Sequence, residues 1–310
     1  MLLSFHHTDR FDSNTSSTDN FNPVEFFFDQ FYNCIVLGCC LNKFKQQAVF
    51  AIVDNFLVFK FWAGDELAYM MPVGEGNLEK VLNELVEDAR QEGEPFCMLG
   101  VCSCMREDLE AIMPGQFGFT VDRDYADYIY LRSDLATLKG KKFQSKRNHI
   151  NKFRNTYPDY EYTPITKDRI QECLELEAKW CKANDCDQQE GTGNERRALL
   201  YALNHFEELG LTGGILHVNG QIVAFTFGMP INKETFGVHV EKADTNIDGA
   251  YAMINYEFAN HIPEQYIYIN REEDLGIEGL RKAKLSYHPE TILEKYMACL
   301  KEQPVEMIKW

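Results

Sequence analysis

The stretch Gly214–Phe258, GILHVNGQIVAFTFGMPINKETFGVHVEKADTNIDGAYAMINYEF, decides the fold. Two β-rich runs, Gly214–Val218 and Gln221–Met229, flank Asn219-Gly220, the dipeptide that most readily adopts the positive φ angles of a two-residue hairpin turn. A third run, Thr235–Val240, predicts another strand. From near Gly249 the period changes, and Ala250, Met253, Ile254 and Phe258 share one face of a helix. Upstream lie a strand at Tyr160–Pro164 and two helices. Lys167–Lys182 carries apolar Ile170, Cys173, Leu174, Ala178 and Cys181, and Asn194–Leu209 carries Leu199, Leu200, Leu203 and Phe206. Downstream come a strand at Gln265–Ile269, a helix at Ile277–Tyr287 and a last strand at Ile292–Met297.

The first half gives a less complete version of the same order. Ala48–Val53 and Asn55–Trp62 read as a hairpin, and Leu67–Pro72 as a third strand. The helix at Leu78–Ala89 follows from apolar residues spaced i, i+3, i+4, i+7, i+8 and i+11. A strand at Phe96–Val101, a helix at Arg106–Ile112 and a strand at Ala126–Leu131 complete it. Strand, two helices, three strands, helix, strand, helix, strand is the succession found in the GCN5-related N-acyltransferase fold. The expected class is therefore α/β (α+β), with two tandem domains of that kind, each a mixed central sheet flanked by helices. The boundaries expected are 1–20 for a polar, flexible lead-in, 21–138 for the N-terminal domain, 139–156 for a basic connecting helix and 157–310 for the C-terminal, catalytic domain.

The 310 residues are 45% apolar and carry a net charge of −17, which supports buried cores and a surface that repels polyanions. No window approaches the ~18–20 apolar residues of a membrane span. The first twenty residues lack the apolar core of a signal peptide, so a cytoplasmic location is expected. Ten cysteines are present, several inside apolar runs (Cys34, Cys39, Cys40, Cys97, Cys299), and free thiols are the reading for a cytosolic chain of this length. Neither the cluster Cys97, Cys102, Cys104 nor the pair Cys181, Cys186 has a zinc spacing, and no close His pair accompanies them. No metal site is expected.

Against the acidic background, Lys139–Arg154 holds seven of the 31 basic side chains and no acidic one. Charge alone leaves two readings open: a surface kept positive to receive phosphates, or a solvated junction whose Lys and Arg pair with nearby carboxylates. The segment should be helical through Arg154, with Phe143, Ile150 and Phe153 turned inward.

An acyltransferase needs a grip on its donor, a base for the attacking nucleophile and an acid for the leaving group. Glu241, at the end of a strand, is the candidate base, set against a surface Glu paired with Lys242. Tyr287 is the candidate acid, set against a core tyrosine. Asn246, Asp248, Gly249 and Ala250 lie where a helix N-terminus would receive a donor phosphate, unless Asp248 only caps the helix. Asn270-Arg271 ends a strand, where a polar pair points into a cleft, and Arg271 would hold a carboxylate or phosphate bidentately. Arg281, Lys282 and Lys284 form either a cationic rim or bases offset by Glu272, Glu273 and Asp274.

Three strings, GKKFQSKRNHINKFRNTYPDYEY (Gly140–Tyr162), HVEKADTNIDGAYAMINYEFA (His239–Ala259) and NREEDLGIEGLRKAKLSYHP (Asn270–Pro289), resemble the DUF2156 family. Its members are similar to the catalytic C-terminal domain of phosphatidylglycerol lysyltransferases, and the likeness covers nearly the whole chain. The resemblance implies a tandem acyltransferase-like fold shared with Fem-type aminoacyltransferases. It implies aminoacyl-tRNA as donor, an amine or hydroxyl as acceptor and no tightly bound cofactor. The tRNA would meet Lys139–Arg154 through Lys146, Arg147, Asn148 and Lys152, with Arg281 and Lys284 nearer the acceptor stem. The lipid-modifying relatives carry a multi-span membrane domain, which this sequence lacks, so among a small molecule, a peptide and a lipid headgroup as acceptor a soluble or peripheral substrate is expected ahead of a lipid. Two other readings stand beside this one. In the first, acyl-CoA is the donor, gripped by Asn246–Tyr251, although that loop lacks the run of small residues such a grip uses. In the second, the chain is a non-catalytic scaffold that binds RNA or another polyanion.

Overall fold

The computed structural model describes residues 6–7, 49–63, 66–183 and 190–301. The expected lead-in, apart from His6 and His7, lies outside the described residues, as do Cys34, Cys39, Cys40 and Cys186. The chain divides into two compact units, one ending at Tyr125 and resuming at Glu294, the other spanning Ala126–Leu293. Both are mixed α/β.

The first unit is built on β1 (His6–His7), β2 (Val49–Val53), β3 (Phe56–Ala63), β4 (Glu66–Met70), β5 (Val73–Gly74), α1 (Leu78–Glu92), β6 (Cys97–Val101), α2 (Ser103–Ile112) and β7 (Phe117–Val121). Its sheet runs β1-β2-β3-β4-β6-β15-β7, with β5 on β3, and β15 is the chain's last described strand, Tyr296–Leu300. The stripe Val81, Leu82, Leu85 and Ala89 of α1 is buried, as its spacing predicts. Asn77 caps α1 by accepting from the Lys80 N–H. Lys60 is a cation inside this core. Its Nζ meets Asp88 at 2.8 Å and Glu92 at 2.6 Å, and the Tyr69 hydroxyl donates to the same Asp88 at 2.6 Å.

The second unit comprises β8 (Asp127–Leu131), α3 (Arg132–Thr137), α4 (Gln144–Thr156), β9 (Glu161–Pro164), α5 (Ile170–Ala183), α6 (Glu190–Asn204), β10 (Thr212–Val218), β11 (Gln221–Pro230), β12 (Thr235–Ala243), α7 (Ala250–His261), β13 (Tyr268–Asn270), α8 (Glu278–Leu285) and β14 (Thr291–Leu293). The sheet order is β14-β8-β13-β12-β11-β10-β9, and only the β12–β13 pairing is parallel. Helices α3, α4 and α7 cover one face through Leu135, Ile150, Phe153, Met253 and Phe258. Leu176 of α5, Leu199 and Leu203 of α6 and Phe206 just beyond α6 cover the other. Asn219 and Gly220 both take positive φ, 52° and 70°, as the hairpin requires.

Two sequence-derived assignments change. The expected boundaries at 138/139 and 156/157 do not separate the units. Strand β8 belongs to the second sheet, where it pairs with β13 and β14, and α4 packs into that unit's core rather than connecting two domains. The single strand expected at Ile292–Met297 is two. β14 closes the second sheet, and β15 inserts between β6 and β7 of the first. This insertion corrects the free-thiol reading of Cys97 and Cys299. As direct cross-strand partners they form a disulfide across 202 residues of sequence, while Cys102, Cys104, Cys173 and Cys181 are free thiols.

Candidate active site

Strands β12 and β13 pair only over Thr235–Gly237 and Tyr268–Asn270. Beyond Gly237, β12 continues to Ala243 on β11 alone, while Tyr128 of β8 takes up the chain after β13 by accepting from the Arg271 N–H at 3.0 Å. The sheet is therefore parted at its centre. A bulge decides what faces the parting. Phe227 lies opposite Val240 and Gly228 opposite Val238, which leaves His239 as the extra residue. Val238 consequently packs with the α7 cluster and Val240 with the α5–α6 cluster, although they are two apart. The same inversion turns Glu241 to the face covered by α7. Gly228 permits the close approach here, since a Cβ at that position would fall 1.8 Å from the Gly237 carbonyl oxygen.

Glu241 and Arg271 bridge the parting. Arg271 Nη2 donates to Glu241 Oε1 at 3.0 Å, and Asn255 Nδ2 of α7 donates to Oε2 at 3.2 Å. The two charged side chains are 11% and 14% exposed, so the pair is largely withdrawn from water. Burial opposes the charge on Arg271, yet Glu241 and then Tyr130 and Tyr287 hold its pKa above the ordinary arginine value. The guanidinium lies 5.1 Å from the Tyr287 ring centre and 5.7 Å from that of Tyr130. Lys146 Nζ stands 3.8 Å over the Tyr287 ring. Burial first, then Arg271, pushes the Lys146 pKa down to about 8 against the pull of Glu241. Burial also drives the Tyr287 hydroxyl well above its usual range, so it stays a proton donor at neutral pH. A second bridge, His239 Nδ1 to Glu272 Oε1 at 2.6 Å, runs beside the first.

Thus Glu241, Arg271, Tyr287 and Lys146 of the sequence-derived set come together at the parting. Glu241, the expected base, has both oxygens engaged, Oε1 by Arg271 and Oε2 by Asn255. The remaining residues lie elsewhere. Arg147 donates to the carbonyls of Leu138 and Gly140 and holds that turn. Asn148, exposed, accepts from Gln144. Asn246 folds back on Asp244. Asp248 pairs with Lys152 and does not cap α7, whose N-cap is Gly249. A Cβ on Gly249 would lie 3.1 Å from the His149 carbonyl oxygen, so α4 already covers the α7 N-terminus, and Ala250 is buried. Arg281 is bidentate on buried Asp274, which also accepts from the Tyr128 hydroxyl at 2.5 Å. Burial would raise the Asp274 pKa, but Arg281 and Tyr128 hold it down to about 2. Lys284 is buried and places its three protons on the carbonyls of Arg271, Glu272 and Glu273. It clamps the turn that aims Arg271 and does not form part of a donor rim. Asn270, expected in the cleft, is buried against Asp127 at 3.0 Å.

The phosphatidylglycerol lysyltransferase C-terminal family matches residues 38–299 of this sequence. The chain belongs to that family. A solved structure of a conserved protein of unknown function from Bacteroides thetaiotaomicron VPI-5482 is 71% identical, with a TM-score of 0.84 over 97% of this chain and 100% of that one. L-PGS from Bacillus licheniformis shares the fold at 17% identity and TM-score 0.61, over 94% of this chain and 95% of that chain. So does the DUF2156 domain of a protein named as a lysylphosphatidylglycerol synthetase from Agrobacterium fabrum, at 13% identity and TM-score 0.64, over 89% and 92%. Among curated proteins, the uncharacterized protein MYCGA3080 of Mycoplasmoides gallisepticum is 26% identical over 174 residues. That match spans about half of each chain, 55% of either.

Within this lysyltransferase family member, sequence reasoning missed Asn255, His239 and Tyr130. Asn255 left one trace, a lone amide on an otherwise apolar helix face between Ile254 and Phe258. Among the described residues no His, Cys, Asp and Glu group could hold a metal ion, and no helix is long and apolar enough to cross a membrane.

Proposed function

We propose that the chain transfers an aminoacyl group from aminoacyl-tRNA to the hydroxyl of a lipid headgroup. The observation that carries this reading is the Glu241–Arg271 bridge across the parted strands, with Lys146 and Tyr287 beside it, in a chain of the phosphatidylglycerol lysyltransferase C-terminal family. The acceptor hydroxyl attacks the ester carbonyl of the donor. Neutral Lys146 takes the hydroxyl proton, Arg271 stabilises the oxyanion, the C–O bond to the terminal tRNA ribose breaks as Tyr287 gives that oxygen its proton, and the proton held by Lys146 then restores the Tyr287 hydroxyl. One ester replaces another, and no covalent enzyme intermediate is needed.

The basic segment supports a tRNA donor. Lys139 and Lys141 are exposed, and the pairs Lys142–Asp134 and Lys152–Asp248 are solvent-facing, where water and salt screen an ion pair. Phosphates can displace such partners. Acyl-CoA is disfavoured as donor because α4 lies against the α7 N-terminus, where a pyrophosphate would sit.

The test is transfer from radiolabelled aminoacyl-tRNA to vesicles containing phosphatidylglycerol, with a soluble peptide and a polyol as alternative acceptors and acetyl-CoA as alternative donor. Label in the lipid fraction that vanishes in Arg271→Met supports the proposal. Label only in peptide or polyol changes the acceptor, and label only from acetyl-CoA overturns the tRNA donor. Transfer from neither donor, with tRNA binding retained, leaves a polyanion-binding scaffold.

A further inference from the structure

One motif of the sequence has no part in the transfer chemistry: Cys102-Ser103-Cys104, in the first unit. Strand β6 ends at Val101 and α2 begins at Ser103, so Cys102 is the N-cap of that helix and Cys104 lies in its first turn. The Cys102 side chain caps no backbone N–H, a task that Ser, Thr, Asp or Asn performs well at such a position and that Asn77 performs for α1. It turns instead to its neighbour, and the two Sγ atoms share a hydrogen bond at 2.9 Å. A disulfide bond is about 2.05 Å long, so a small rotation separates this dithiol from a bridge.

Access sets the pair apart from the other described cysteines. Cys104 is exposed and Cys102 half-buried, whereas Cys173 and Cys181 are buried. The Cys97–Cys299 disulfide is sealed in the core, its residues 1% and 4% exposed. Buried bridges resist exchange, and exposed sulfurs are open to it. No carboxylate stands in the first turn of α2 to repel a thiolate. The hydrogen bond with Cys102, and then burial, push the Cys104 thiol up. That slows exchange at neutral pH, because the thiolate is the nucleophile, and makes an equilibrium the property to measure.

We propose that Cys102 and Cys104 form a redox-active dithiol that takes a small-molecule disulfide as its substrate and closes to an intramolecular bridge. The thiolate of exposed Cys104 attacks one sulfur of the incoming disulfide, which forms a mixed disulfide and expels the other half as a thiolate. The Cys102 thiolate then attacks the Cys104 sulfur, and the second half leaves. Two protein thiols are oxidised, the incoming disulfide is reduced to two thiols, and the two protein protons pass to the leaving thiolates. This inference does not rest on the transfer reading.

The experiment equilibrates the full chain in buffers of increasing oxidised-to-reduced glutathione ratio. Samples are quenched in acid, denatured, alkylated and cleaved with chymotrypsin, which cuts after Leu99 and so separates Cys97 from the pair. The peptide holding Cys102 and Cys104 should lose both alkyl labels together and become lighter by two hydrogens, at ratios that leave Cys173 and Cys181 labelled. Cys102→Ser removes the second step, so Cys104 should stop as a mixed disulfide carrying one glutathione. The proposal is overturned if both thiols keep their labels in a large excess of glutathione disulfide. It is equally overturned if the unaltered peptide stops with glutathione attached, or if the lost label comes from disulfide-linked dimers on a non-reducing gel. Should Cys102→Ser fold poorly, the peptide masses of the unaltered protein still decide.

Discussion

Arg271 Nη2 lies 3.0 Å from Glu241 Oε1 across the point where two neighbouring strands separate, so one ion pair stands where a sheet would otherwise supply backbone hydrogen bonds. Removing one partner leaves the other charge buried. Glu241→Leu and Arg271→Met should each destabilise the protein by about 3 kcal/mol, and the double variant by less than either single one. Urea denaturation of all four proteins measures the coupling, and simple additivity of the two losses would contradict it.

Lys146, pushed down to about 8 mainly by burial, sets the pH dependence of transfer. Its neutral form is the proposed proton acceptor, so kcat/KM should rise with pH and level off above about 8. Lys146→Met should abolish that rise and reduce transfer roughly 100-fold. A profile unchanged in the variant removes Lys146 from the chemistry.

Asp274 is held at about 2 when folded, against an ordinary value near 3.9. Because the folded pKa is the lower, its contribution is present in full above about pH 4 and is lost as pH falls through about 2. Asp274→Asn should lower stability at neutral pH by about 2 kcal/mol and flatten the acid limb of a stability–pH curve. An acid limb of unchanged slope would place the titration elsewhere.

The Cys97–Cys299 disulfide closes a loop of 202 residues, long enough that cross-linking restricts the unfolded chain strongly. Reductant, or Cys299→Ser, should cost about 2–4 kcal/mol, read as a lower Tm. The serine variant should then be insensitive to reductant.

Local signals made much of the fold legible. The Asn219-Gly220 turn, the α1 periodicity and the change from strand to helix period at Gly249 each declare themselves within a few residues. Glu241, Arg271 and Tyr287 were legible as polar or aromatic residues at element ends. The missing part is long-range. Nothing near Ile292–Met297 says that the chain leaves one sheet and enters another, and without that step Cys299 cannot be placed beside Cys97. The His239 bulge is equally silent, since it depends on how β11 and β12 register. Asn255 gains its meaning only once that bulge has turned Glu241 towards it.

Strand β15 fills the slot between β6 and β7, and this has a consequence for biosynthesis. On a ribosome that makes protein from the N-terminus, residues 49–125 emerge early but wait for Tyr296–Leu300 before their sheet can close. The second unit, contained within Ala126–Leu293 among the described residues, has all its strands first. A chain truncated shortly before residue 296 and released from the ribosome would therefore display a finished second unit and a first unit with an open strand edge, the kind of surface that chaperones bind.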